Sequence, residues 1–285
     1  MFEPVVAAIW GDDKSGKTSC AFSFPKPIRH FDLDVGGYKR AVHRFSKEVT
    51  AGEFFSKPYY VPQQSLIEKM AGKMGSEFKA KLLATPKSNA KLIGMKELWY
   101  EFITDYINVL SDNELAPNGK PYRTVIFDSF VQAWELCRLA FLQEKQDRDP
   151  KRESLLQIEY GEPNARMRAL VYASREQGKN LVLTHYAEEA REDRLIDGSI
   201  KSIIVGDKMA GWKYTEKEVD VVIRTKVVKS KVLIGQVAKM EAAGEVVLCG
   251  LALELTGMTF PLNRELYSGP SWEEISQVLG MYRLG

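Results

Sequence analysis

Eight consecutive residues near the start of the chain, Gly11, Asp12, Asp13, Lys14, Ser15, Gly16, Lys17 and Thr18, fit the pattern G-x-x-x-x-G-K-[ST]. Each residue type in that pattern has a task in holding a polyphosphate. The two glycines let the backbone approach phosphate oxygens closely, so that successive N–H groups form an anion-binding nest. A helix opening at Ser19 would add the positive end of its dipole. Lys17 would reach the β- and γ-phosphates, where charge develops during phosphoryl transfer, and the Thr18 hydroxyl would ligate Mg²⁺. Asp12 and Asp13 carry the wrong charge for this work; their side chains are expected to point outward, with Lys14 offsetting them. Residues 11–19 are therefore the candidate nucleotide-contacting set.

Such a loop needs acids from elsewhere in the chain. Asp128 closes the run Arg123, Thr124, Val125, Ile126, Phe127, where it would be the second Mg²⁺ partner with Thr18; a strand-end Asp that caps the next helix is the plain alternative, and Ser129 could also cap. Asp34 follows Phe31, Asp32 and Leu33 and could orient an attacking water, or belong to a turn with Gly36 and Gly37. Glu162 is the second choice for that water. Thr184 and His185 end another apolar run, where a polar side chain can sense the γ-phosphate; a satisfied, partly buried His185 fits equally well.

The elements that must position these groups are legible. An apolar run over residues 5–10 reads as the strand entering the loop, and residues 27–34 as a second strand. Residues 123–129 and 180–184 lack alternation, as strands covered on both faces do. Helices are expected over 97–110, 131–144 and 164–177, and less regularly over 64–96. Strands alternating with helices imply a mostly parallel sheet in an α/β fold. Asp197 and Gly198 between short apolar pieces signal a hairpin. Strands are read at 219–228, 231–239 and 245–253, with a short helix near 272–279. Residues 1–228 are thus expected to form the core and residues 229–285 a β-rich C-terminal extension packed on it.

Bulk properties narrow the class. In 285 residues, 40 Lys and Arg balance 38 Asp and Glu, so net charge argues for no nucleic-acid or membrane partner and any DNA surface must be local. The three cysteines (Cys20, Cys137, Cys249) are dispersed and in apolar settings, as expected for reduced thiols in a cytoplasmic protein. No apolar run approaches the roughly 18 residues needed to span a bilayer, and no signal peptide precedes the first strand.

Together, residues 11–18, the run from Phe31 to Asp34 with Gly36 and Gly37, the run from Val125 to Ser129, the run from Leu183 to His185, and Asp220 with the Val221–Arg224 stretch resemble the RecA-like P-loop ATPases of bacteriophages. This is a compact group of phage nucleotide-binding proteins, some of them recombinases associated with single-strand annealing. The resemblance covers about residues 4–228. It implies a RecA-like P-loop NTPase fold, ATP and Mg²⁺ as cofactors, Lys17 and Thr18 on phosphate and metal, and Asp128 on metal. It also implies a water-orienting acid after the second strand, where this chain has Asp34 in place of a glutamate, and a nucleotide-coupling side chain at His185. Homo-oligomers and single-stranded DNA are the partners it implies.

Residues 186–218 are the expected DNA contact, read as a mobile loop carrying Arg191, Arg194, Lys201, Lys208, Lys213 and Lys217 with Trp212 and Tyr214. Six acids in the same stretch (Glu188, Glu189, Glu192, Asp193, Asp197 and Asp207) dilute its charge. A solvated loop with Trp212 packed on the core is the alternative, and so is Arg191, Arg194 or Lys208 reaching a neighbouring subunit's nucleotide. An NTP-dependent switch or assembly factor that binds a protein, or a small-molecule kinase, are the competing functions.

Overall fold

The computed structural model describes residues 4–34, 37–60, 92–196, 199–229, 240–248, 263–266, 271–273 and 275–276. The helix expected over 64–96, apart from its last few residues, the strand at 231–239 and most of the final helix lie outside the described residues.

The element order begins with β1 (Val6–Gly11), α1 (Lys17–Ala21), β2 (Ile28–Asp32), α2 (Gly37–Ala41), α3 (Ser46–Thr50) and β3 (Phe54–Pro58). It continues with α4 (Met95–Leu110), β4 (Thr124–Asp128), α5 (Phe130–Gln146), α6 (Gly161–Glu176) and β5 (Asn180–Ile196). The last described elements are β6 (Ser199–Met209), α7 (Thr215–Glu218), β7 (Val221–Lys229), β8 (Met240–Leu248) and β9 (Asn263–Leu266).

Among the described strands the sheet runs β3-β2-β4-β5-β1-β7-β8-β9. From β3 to β7 all pairings are parallel; β8 and β9 add antiparallel strands at one edge. This is the mostly parallel, helix-flanked α/β sheet expected from the sequence. The C-terminal strands β8 and β9 continue the core sheet through β7.

Alternation along each central strand divides the core into two layers. Val6, Ala8, Phe31, Phe127, Leu181 and Leu183 face α4, α5 and α6, meeting Phe102, Tyr106, Leu136 and Met167. Ala7, Ile9, Ile28, Ile126, Val182 and Ile223 face the other way, toward Cys20, Phe22 and Phe24 and the C-terminal Ile275. Both faces are covered, which explains the unbroken apolar runs in the sequence. Among the described residues no helix is long and apolar enough to cross a membrane.

The clearest correction concerns residues 186–209. β5 does not stop near His185: beyond Tyr186 it leaves the main sheet and pairs antiparallel with β6, from Ala187 opposite Met209 to Ile196 opposite Ser199. The expected mobile loop is therefore a long two-stranded ribbon, bulged between Ala190 and Arg191. Its exposed positions tolerate dense charge, which hid the strand in the sequence. Ile196 pairs with Ser199 at the tip of the described ribbon, while the expected turn residues Asp197 and Gly198 lie outside the described residues.

Phe127 holds the α4 layer to the sheet. It is fully buried, with ring centroids 5.3 Å from Phe31, 5.0 Å from Phe102 and 5.0 Å from Tyr106. Phe127→Ala should lose about 3–5 kcal/mol of stability in urea unfolding; a loss below about 1 kcal/mol would mean that this layer packs differently.

Candidate functional site

The carboxyl ends of the parallel strands gather the chemistry, as they do in open α/β sheets. β5 lies between β1 and β4, so Thr184 stands between the loop that follows β1 and Asp128 at the end of β4. Asp32 of β2 pairs in register with Asp128.

The loop after β1 bends through Gly11 (φ +152°), Lys14 (φ +62°) and Gly16 (φ +95°), and Gly16 caps α1. Ser15 is fully buried, its hydroxyl 2.6 Å from the Thr225 hydroxyl, which ties the loop to β7. Gly11 has a packing duty as well: a Cβ there would lie 2.1 Å from the Thr225 carbonyl oxygen. The Lys17 ammonium donates to the carbonyls of Gly11 (2.9 Å) and Asp12 (2.6 Å). Burial draws Lys17 below its ordinary pKa, opposed by Asp13, Asp128, Asp12 and Asp34. Asp12 and Asp13 are exposed, but Asp13 also lines the cleft over the loop, against the expectation that both point outward.

Asp128 is the hub. The Thr18 hydroxyl donates to its Oδ2 at 2.8 Å, and the Thr184 hydroxyl donates to Oδ1. His30 Nε2 lies 3.6 Å from Oδ2, while His30 Nδ1 shares a 2.8 Å hydrogen bond with Ser56. Burial works against the charge of Asp128, but the His30 ring and the two threonine hydroxyls outweigh it and hold the carboxyl below the usual range. Gly37 completes this corner: a Cβ there would come within 3.3 Å of Asp128 Oδ2 and 3.5 Å of the Thr18 hydroxyl. A hydroxyl and an ionised carboxylate on one small, side-chain-free corner fit a Mg²⁺ that takes its remaining ligands from water and phosphate. Among the described residues no group of three or more His, Cys, Asp or Glu forms a metal cage.

A cleft of about 390 Å³ opens over this corner, lined by residues 13–19 together with Asp34, Gly37, Arg40, Ala41, Arg44, Asp128, Thr184 and Tyr186. Asp34 thus shares the cleft with Lys17 and Asp128. Behind it, Asp32 is buried and accepts a 2.9 Å hydrogen bond from the Tyr60 hydroxyl. Burial raises the Asp32 pKa, against the pull of His30 and Tyr60.

A family model described as an AAA domain matches residues 3–247. The chain belongs to that family of P-loop NTPases. The matched span takes in the loop, Asp128 and every parallel strand of this AAA domain. No curated protein matches the chain. Among solved structures, a KaiC-like protein from the hyperthermophilic archaeon Pyrococcus horikoshii is similar, at 13% identity and a TM-score of 0.43, with 94% of this chain and 88% of that chain covered.

His185 does not join the site. Strand alternation sends Thr184 and Tyr186 to the cleft and His185 to the opposite face, where its Nδ1–H donates to the Ala210 carbonyl at 2.9 Å and its ring meets Phe130. Burial pulls its pKa down to about 4. Glu162 pairs with Arg166 at 3.0 Å on α6 and does not line the cleft. On the ribbon, Arg191, Arg194 and Lys208 pair with Glu189, Glu192 and Glu188. Trp212 is buried and donates to Asn164 at 2.9 Å, so it offers no ring for a base to stack on.

Sequence reading missed His30, Tyr186, Arg40 and Arg44 in this AAA domain. Only the 3.6-residue spacing of Gly37, Arg40, Ala41 and Arg44 hinted at a shared face.

Two outcomes test this geometry. His185 should behave as a structural residue: the unfolded chain takes up a proton near pH 6.5 that the folded chain refuses until about pH 4. Its contribution is intact above pH 6.5 and about 3 kcal/mol is lost as pH falls toward 4. His185→Gln should flatten the stability profile over that window, and an unchanged profile would contradict the assignment. Gly11→Ala should weaken both folding and nucleotide binding, read by thermal melts and titration, because its Cβ meets backbone rather than a movable side chain.

Proposed function

We propose that this AAA domain binds Mg·ATP in the cleft and hydrolyses it. One observation carries the reading: Asp128, held by Thr18 and Thr184, stands beside a P-loop whose Lys17 faces the same cleft. Thr18 and Asp128 would hold Mg²⁺, which supplies charge neutralisation to the β- and γ-phosphate oxygens. In the reaction a water oxygen bonds to the γ-phosphorus as the bond to the β–γ bridging oxygen breaks. The electron pair stays on ADP and the water's proton is released. Asp34 orients that water, and Lys17 meets the charge on the phosphates. Asp34 is one methylene shorter than the glutamate of related enzymes, which favours slow turnover.

Single-stranded DNA, bound by a homo-oligomer in phage-type recombination or replication, is the target that the sequence resemblance implies. The β5–β6 ribbon is the element to couple it, because Tyr186 and Ala187 at its root flank the cleft. A second reading, ATP-dependent assembly on a protein partner, is favoured by the ribbon's surface. Its cations are paired with its own acids, while Leu195, Ile200 and Ile204 are exposed.

Steady-state ATPase activity with and without single-stranded DNA separates the two. Stimulation that declines with salt supports DNA coupling; activity indifferent to DNA supports the protein-partner reading. Lys17→Ala should abolish ATP binding while leaving the thermal melt in place, and retained binding would refute the P-loop assignment. Asp34→Asn should slow turnover by about 100-fold or more with ATP affinity nearly unchanged. Undiminished turnover would move the water-orienting role to another residue.

A further inference from the structure

The cleft's charge balance depends on two residues that the P-loop pattern does not contain. Its lining holds four cations (Lys14, Lys17, Arg40, Arg44) and three acids (Asp13, Asp34, Asp128). Arg40 and Arg44 thus supply two of the four cations that face the three acids of the lining.

Both arginines come from the chain that follows β2. Gly37, Arg40, Ala41 and Arg44 fall at helical spacing over α2 and the turn after it, and all four line the cleft. Gly37 marks the metal end of this stripe, against Asp128 and Thr18. Arg40 lies three residues further, about 4.5 Å along a helix axis. Arg40 also lines an adjoining opening of about 690 Å³ with Asp34, Tyr186 and residues 12–14. It therefore stands where the water-orienting acid, the front of the P-loop and the metal corner converge. Arg44 reaches only the first cleft. Arg40 and Arg44 are exposed, and among the described residues neither has an ion-pair or hydrogen-bond partner.

An unpaired guanidinium aimed at a phosphate site is available for the bidentate contact that arginine makes with phosphate oxygens. The expected trans-acting cations Arg191, Arg194 and Lys208 are already engaged with glutamates on the ribbon. We propose that Arg40 is the cation that recognises the terminal phosphate of ATP, supplied by the same chain that holds the P-loop. It distinguishes ATP from ADP and stabilises the charge on the γ-phosphoryl oxygens during hydrolysis. This rests on the cleft being the ATP site.

The test is binding of Mg·ADP and of the imido analogue of Mg·ATP to wild type, Arg40→Ala, Arg40→Lys and Arg44→Ala, with single-turnover hydrolysis alongside. All of the substitutions are at exposed positions, and thermal melts check that the fold is retained. Arg40→Ala should weaken the triphosphate analogue by about tenfold or more relative to ADP, and slow hydrolysis by about 100-fold or more. Arg40→Lys should recover part of the loss, and Arg44→Ala should leave the analogue-to-ADP ratio unchanged. An unchanged ratio in Arg40→Ala, or an equal fall in Arg44→Ala, overturns the inference while leaving the ATP site intact. A wild-type protein that binds neither nucleotide overturns both.

Discussion

An ionised carboxylate inside a protein is costly unless donors and opposite charge surround it, and Asp128 obliges four parts of the chain to meet at one point. Thr18 comes from the P-loop helix, Thr184 from β5, His30 from β2, and the carboxylate itself from the end of β4. β5 has to lie between β1 and β4 for Thr184 to reach it. A side chain on Gly37 would crowd Asp128 and Thr18 where α2 begins. Removing the Thr18 or the Thr184 hydroxyl would leave a buried carboxylate less compensated, so the fold itself depends on contacts made at the mouth of the cleft.

The second organising constraint is the period of two along a strand. Where β5 leaves the main sheet, it separates three consecutive polar residues into two jobs. Thr184 and Tyr186 face the cleft; His185 is turned into the layer formed by Phe130 and Trp212. The same strand then runs out of the sheet as half of the ribbon, so residues that line the cleft and exposed residues of the ribbon share one continuous backbone.

Legibility followed physical cause. The P-loop was readable because phosphate binding demands glycine, lysine and a hydroxyl at set positions in one local segment. The central strands were readable because burial on both faces leaves long apolar runs. α4, α5 and α6 were located to within a few residues by their helical spacing. The ribbon was not, because a two-stranded element with solvent on both sides imposes no apolar pattern and its charges imitate a loop. Trp212 was ambiguous for a related reason: basic and acidic neighbours surround it in sequence, yet its own indole is buried against α5 and hydrogen-bonded to Asn164.

By itself, the sequence determined where the P-loop pattern lies, at residues 11–18, and that an α/β sheet supports the loop, since both depend on local composition and short-range periodicity. The tertiary structure decided which distant groups complete the site. It brought His30 and Thr184 to Asp128, turned His185 away, and placed Arg40 and Arg44 along the cleft. Those outcomes depend on strand order and on the direction each side chain takes from its element. Neither is encoded in the spacing of residues that are 56 to 110 positions apart in the chain.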